Sequence, residues 1–172
     1  MHIPMDTTDG GGNKTYLFSY GSNSTLQLSE RLSRTKWNTY PATLKNHVRI
    51  FAGYSKKWGG SVSSVHPLKN GKVNGMIFEI NEEELKKLDK FEKGYKRTIL
   101  KINVNGNDVP LECYVYIKND TQFEHMPSKK YMDAIRIMLN ERASIVNITH
   151  VQKIIVRSLG DNGKIVTRKF VE

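Results

Sequence analysis

"TYLFSYGSN", residues 15–23, is the stretch from which the fold can be read outward. Thr15 to Tyr20 are mostly aromatic and apolar and run into Gly21, the pattern of a buried strand that ends in a tight turn. Gly21 permits backbone angles closed to other residues and lets a ligand approach the chain. "STLQLSERLSR" follows, with Ser24 and Gln27 at the spacing of a capping box and Leu28 and Leu32 one helical turn apart. The opening is therefore strand, tight turn, short helix.

Downstream, "ATLKNHVRIFAGY" (42–54) alternates as a strand, "WGGSVSSVHP" (58–67) holds a second, and "LKNG" (68–71) is a turn signal before the strong strand "VNGMIFEI" (73–80). "NEEELKKLDKFEKG" (81–94) switches to helical spacing. Asn81 suits its N-cap, three glutamates suit the first turn, and Gly94 is a natural stop. "YKRTILKINV" and "VPLECYVYI" read as two strands joined by the hairpin-type "NGND". "SKKYMDAIRIMLNER" (128–142) predicts a helix capped by Ser128, and "NITHVQKIIVRSLG" (147–160) a second, although "KIIV" also suits a strand. The expected class is α+β: a small mixed, mostly antiparallel β-barrel of about six strands with short helices packed around it. Residues 1–14 read as a flexible leader, 15–160 as one domain and 161–172 as a peripheral basic tail.

The chain has 172 residues, enough for one domain with its own core. Its 27 basic and 17 acidic residues leave a net charge of +10, mostly from scattered lysines. Scattered lysine gives a solvated surface whose field still attracts anions. Cys113, the only cysteine, excludes an internal disulfide and reads as a strand residue in a reducing compartment. The N-terminus lacks the basic start and apolar run of a secretory signal, and no stretch approaches the ~20 apolar residues of a membrane helix. A cytoplasmic location without membrane attachment is expected. His2, His47, His66, His125 and His150 are dispersed without ligand spacing, so no metal site is expected. Nor is there a phosphate-binding or dinucleotide glycine pattern.

Glu92 is the residue most suited to chemistry. By helical period it shares a face with Leu85 and Leu88, where an apolar side chain belongs. It also stands at a helix C-terminus, whose dipole opposes a negative charge. Desolvation and dipole together raise a carboxylate's pKa and prime it to accept and return a proton. The competing reading is a solvated helix-end residue paired with Lys90, Lys93, Lys96 or Arg97. Successive amides in the Gly21 turn can form an anion nest or hold an oxyanion, and Gly-Ser-Asn is also ordinary turn chemistry. Tyr131, with Ala134, Ile135 and Met138, and Tyr95 at a strand start, read equally as core tyrosines.

Together these pieces resemble the γ-glutamylcyclotransferase family, also described as AIG2-like. The resemblance is carried by "YGSN" (20–23), "GSVSSV", "VNGMIFEI" and "LDKFEKGYKR" (88–97), and it spans about residues 15 to 140. Lys93 departs from it, standing between Glu92 and Gly94 where many members have Glu-Gly directly. The resemblance implies that Glu92 is the catalytic acid/base, and that Tyr20, Gly21, Ser22 and Asn23 bind substrate with the strand end Leu17, Phe18 and Ser19 as a wall. It also implies that Tyr131, with Tyr95, lies at the substrate. The implied reaction closes a γ-glutamyl substrate on itself, yielding 5-oxoproline and a free amine or amino acid, with no cofactor. Ser-Asn in the turn, in place of Ser-Leu, favours γ-glutamyl amino acids or amines over glutathione. A homodimer acting on a small molecule, without nucleic acid, is implied as well. The rival readings are a basic nucleic-acid-binding module using Tyr54, Tyr114 and Tyr116 as stacking faces, and a non-catalytic metabolite-binding relative of the same fold.

Overall fold

The computed structural model describes residues 14–119, 122, 123, 125–148, 154–159 and 164–169. The leader expected over 1–14 therefore lies, Lys14 apart, outside the described residues. Strand β1 (Thr15–Ser19) leads through the turn to helix α1 (Thr25–Leu32), followed by β2 (Thr39–Ser55) and β3 (Gly60–Ile80). Helix α2 (Glu82–Asp89) precedes the hairpin β4 (Tyr95–Val104) and β5 (Leu111–Lys118). Helix α3 (Lys129–Ile145) and the strands β6 (Ile155–Leu159) and β7 (Ile165–Lys169) complete the order.

Five strands close into a barrel in the order β1-β3-β2-β4-β5. All neighbours run antiparallel except β1 and β5, which meet in parallel at Leu17 and Tyr114. The barrel has five strands where six were expected, because 58–67 and 73–80 belong to one strand. The turn signal at 68–71 makes a bulge and does not reverse the chain. Register passes from Lys45↔Lys72 to His47↔Pro67, so four residues of β3 stand opposite Asn46 alone. Asn46 (φ 58°) and Asn70 (φ 65°) both adopt left-handed backbone there, a conformation that asparagine tolerates. Asn46 Oδ1 accepts the Asn70 amide at 3.1 Å, and pairing with β2 resumes beyond.

The helix expected over 147–160 gives way to β6 at Ile155–Leu159; residues 149–153 and 160 lie outside the description. Val156 and Ser158 are fully buried while Ile155 is exposed, a period of two that outweighs the apolar spacing at 148, 151, 155 and 159. β6 pairs with β7, which falls within the expected tail.

Alternation along β1 divides the core. Tyr16, Phe18 and Tyr20 join a cluster to which all five barrel strands contribute, with Leu44, Ile77, Ile102 and Val115. Leu17 faces the other way and packs with Leu28 and Leu32 of α1, Leu85 and Leu88 of α2, and Phe78. A third cluster seats Tyr131, Met132 and Ile135 of α3 against Phe51, Val62 and Val156. Each helix thus buries one apolar stripe on the barrel wall, and both elements that flank Glu92 are pinned. Among the described residues no helix is long and apolar enough to cross a membrane.

Candidate active site

Helix α2 starts on a complete capping box. Asn81 Oδ1 accepts the Glu84 amide at 2.8 Å, and Glu84 Oε1 accepts the Asn81 amide at 3.2 Å. Its helical hydrogen bonding ends at Asp89, so Glu92 lies three residues beyond the helix and not on its face as expected. The chain keeps turning because the Glu92 amide reaches the Leu88 and Asp89 carbonyls, each at 3.2 Å, and Tyr95 N donates to Glu92 O at 3.1 Å. Leu88 is buried beneath this turn, which carries Glu92 inward.

The Glu92 side chain is 11% exposed and its carboxylate is held from α1 and the first turn. Asn23 Nδ2 donates to Oε1 at 2.7 Å, and Arg31 Nη1 reaches the same oxygen at 3.3 Å while donating to Asn23 Oδ1 at 2.9 Å. The basic residues near Glu92 in sequence do not pair with it: Arg97 Nε bonds Asp89 at 3.0 Å, and Lys90, Lys93 and Lys96 are exposed. Burial pushes the Glu92 carboxyl above its ordinary range. Arg31, the Asn23 bond and Lys57 pull it back only in part, and Asp89 adds to the rise.

Glu92 opens onto a cavity of about 630 Å³ whose wall includes Tyr95, Tyr131, Arg31, Trp58 and Lys118. Ser63 organises the tyrosines. Its amide donates to Tyr131 Oη at 2.9 Å, its Oγ lies 2.7 Å from the same oxygen, and its carbonyl accepts from Tyr95 Oη at 2.7 Å. Tyr131 is placed for this by Ser128, whose Oγ caps α3 by accepting the Tyr131 amide at 3.1 Å. The Trp58 ring meets Tyr131 edge-on at 5.1 Å. Burial raises the hydroxyls of Tyr20, Tyr95 and Tyr131, so all three stay neutral donors at ordinary pH.

The predicted residues divide into two groups. Glu92, Tyr95 and Tyr131 line the cavity; Leu17, Phe18, Ser19, Tyr20, Gly21, Ser22 and Asn23 stand behind it. Asn23 reaches the site through Glu92. Gly21 packs so tightly on the tyrosine group that a Cβ would lie 2.6 Å from Ser63 Oγ and 3.3 Å from Tyr131 Oη. Tyr20 donates to the Tyr116 carbonyl, and its own carbonyl accepts two bonds from Arg49, at 2.8 and 3.2 Å. Leu17 and Phe18 are fully packed core, and Ser19 Oγ donates to Asn23 O. The Ser24 cap forms in one direction, accepting Gln27 N at 3.1 Å, while the Gln27 side chain accepts from Ser22 Oγ at 2.8 Å. Among the described residues no acceptor meets the amides of Gly21, Ser22 and Asn23.

Arg31, Ser63, Trp58 and Arg49 were not singled out from sequence. The "SVSSV" run carried a signal, since Ser61, Ser63 and Ser64 lie on a strand of buried residues and are themselves buried. Arg31 stands between Leu28 and Leu32, at the edge of the apolar stripe of α1. The three tyrosines proposed as stacking faces do not form a row. Tyr116 is buried with its hydroxyl on Asp89, Arg97 covers Tyr114, and Tyr54 leans on His125. Among the described residues no group of three His, Cys, Asp or Glu side chains is placed to hold a metal ion. Burial pushes the Cys113 thiol up to about 12, which keeps it un-ionised.

The fold and sequence have relatives. The chain is 29% identical over 124 residues to a bovine (Bos taurus) gamma-glutamylaminecyclotransferase, covering 66% of this chain and 71% of that protein. A solved gamma-glutamyl cyclotransferase superposes with a TM-score of 0.66 at 19% identity, covering 81% of this chain and 90% of that one. A structure of an uncharacterized protein from Homo sapiens gives a TM-score of 0.66 at 21% identity, covering 82% and 91%. These two structures share the fold. The family model described as gamma-glutamyl cyclotransferase, AIG2-like, matches residues 17–133. With most of its length matched by that model, the chain belongs to the gamma-glutamyl cyclotransferase, AIG2-like family.

Proposed function

We propose that the protein cyclises γ-glutamyl amino acids or γ-glutamyl amines, releasing 5-oxoproline and a free amino acid or amine, with Glu92 as general acid/base. One observation carries the reading: a carboxylate raised by burial opens onto a 630 Å³ cavity while held from behind by the first turn. The substrate's α-amine is the nucleophile and attacks its own γ-carbonyl, forming the ring C–N bond. The amine arrives protonated, so it must first give up a proton, and Glu92 takes it. As the bond to the leaving nitrogen breaks, Glu92 returns that proton to it. A second proton follows from the attacking to the leaving nitrogen, so the amine departs as a cation and the lactam is neutral. The nucleophile is tethered to its target, which supplies much of the acceleration.

The acceptor-free amides of Gly21, Ser22 and Asn23 lie behind Glu92, where a substrate that reaches past that side chain places its carboxylate or developing oxyanion. Tyr95 and Tyr131 form the wall, fixed through Ser63. Lys57, Lys90, Lys93 and Lys118 around the cavity favour a leaving side that carries a carboxylate, hence γ-glutamyl amino acids over simple amines. The test is incubation with γ-glutamyl dipeptides, γ-glutamyl amines and glutathione, with 5-oxoproline assayed. Glu92→Gln keeps the shape and removes the base, and turnover falls by ~100- to 10,000-fold. Full turnover in that variant would refute the role of Glu92.

A further inference from the structure

A second recess, of about 340 Å³, opens between β2, β3, α3 and β6. Four cations line it: Arg49, Lys72, Arg142 and Arg157. Among the described residues no carboxylate does. Arg142 is 9% exposed, and its buried Nε has no hydrogen-bond partner among the described residues. Among the described residues its guanidinium makes one polar contact, and that is long, 3.5 Å from Nη2 to Asn74 Oδ1. Arg49 spends its donors on the carbonyls of Tyr20 and Asn74, which hold it against the recess wall. Burial, together with the nearby Arg157, draws the Arg49 guanidinium down to about 10. Burial likewise lowers Arg142. Buried cations without a counter-charge are unfavourable until an anion joins them.

We propose that this recess is a binding site for a small phosphate monoester, separate from the cavity at Glu92 and independent of the reading of that cavity. Guanidinium forks match phosphate oxygens two at a time. A dianion answers the surplus of positive charge better than a single carboxylate. Leu139, Ile148 and Ile154 supply an apolar side for the ester's carbon body. The volume lies at the small end of ligand sites, which run from ~300 to 1,000 Å³. The cations converge on one hollow and do not form a stripe, so the shape suits a small molecule over a nucleic-acid backbone.

The experiment is calorimetric titration of the full chain with phenyl phosphate, at moderate salt. A saturable signal is expected, weakened at least about tenfold in Arg142→Gln, where a charge-assisted contact is lost. It stays unchanged in Glu92→Gln. Should Arg142→Gln fail to fold, the double variant Lys72→Gln with Arg157→Gln, both nearer the surface, gives the same readout. Absence of saturation, survival of binding in these basic variants, or its loss in Glu92→Gln would each overturn the site. Equal binding of benzoate would overturn the preference for phosphate, and tighter binding of a single-stranded oligonucleotide at the same place would overturn the small-molecule reading.

Discussion

Asn23 Nδ2 donates to Glu92 Oε1 at 2.7 Å, joining residues 69 positions apart in the chain. The bond ties the first turn of the protein to its buried carboxylate. It favours the ionised form of Glu92, against the burial that opposes it. Replacing Asn23 by Ala removes a lowering influence, so the Glu92 pKa rises further. The acid limb of the kcat/KM profile for 5-oxoproline release then moves to higher pH. An unmoved limb would show that this bond does not set the ionisation of Glu92.

Glu92 also leaves a mark on stability. Its folded-state pKa is raised above the ordinary 4.5, so between the two values the native state binds more protons than the unfolded chain. Its contribution is fully present below the unfolded pKa and is lost as pH rises through the folded one. The stability of wild type relative to Glu92→Gln therefore declines as pH rises from the ordinary value through the raised folded-state one, measured by denaturant midpoints. A difference that grows with pH would mean that the Arg31 pair outweighs burial.

Tyr131→Phe deletes the oxygen that satisfies both the amide and the hydroxyl of Ser63, which is 2% exposed. A buried donor left without a partner costs about 1–3 kcal/mol. At ~2–4 °C per kcal/mol for a domain of this size, the thermal midpoint drops by several degrees. KM rises as well, because the ring stays in the cavity wall but loses the hydroxyl that fixes it to Ser63. A midpoint within error of wild type would show that water replaces the lost oxygen.

Gly21→Ala brings a methyl group 2.6 Å from Ser63 Oγ, which can move aside only by leaving Tyr131. Activity falls, with little change in overall content of secondary structure by circular dichroism. Adding Ser63→Ala removes the clashing oxygen, so the double variant recovers part of the loss. Simple additivity of the two effects would refute the steric account.

The barrel and most of its elements were legible where local chemistry and burial agree. Thr15 to Tyr20 alternate, Gly21 turns, Ser24 and Asn81 cap, and each element formed where its residues asked for it. Glu92 was legible as a polar residue on an apolar side, although its helix ends earlier than its spacing suggested. Its partner Arg31 was not, because α1 and α2 are brought together by tertiary packing, with Leu28, Leu32, Leu85 and Leu88 in one buried cluster. The lysines nearest in sequence were the wrong candidates for the same reason. Residues 68–71 have true turn chemistry, and only the length of β2 opposite them turns a reversal into a bulge. Strand β6 was hidden because Ile155 and Leu159 fit a helical stripe, while burial follows Val156 and Ser158.

The barrel closes unequally: β1 shares five register pairs with β3 but a single one, Leu17 with Tyr114, with β5. A seam held by so few pairs opens at a lower free-energy cost than one held by five. Amide hydrogens of β1 facing β5 exchange with solvent sooner than those facing β3. The same strand runs straight into the turn at Gly21, so a molecule gripped there acts as a clasp, and slower exchange along the seam becomes its signature.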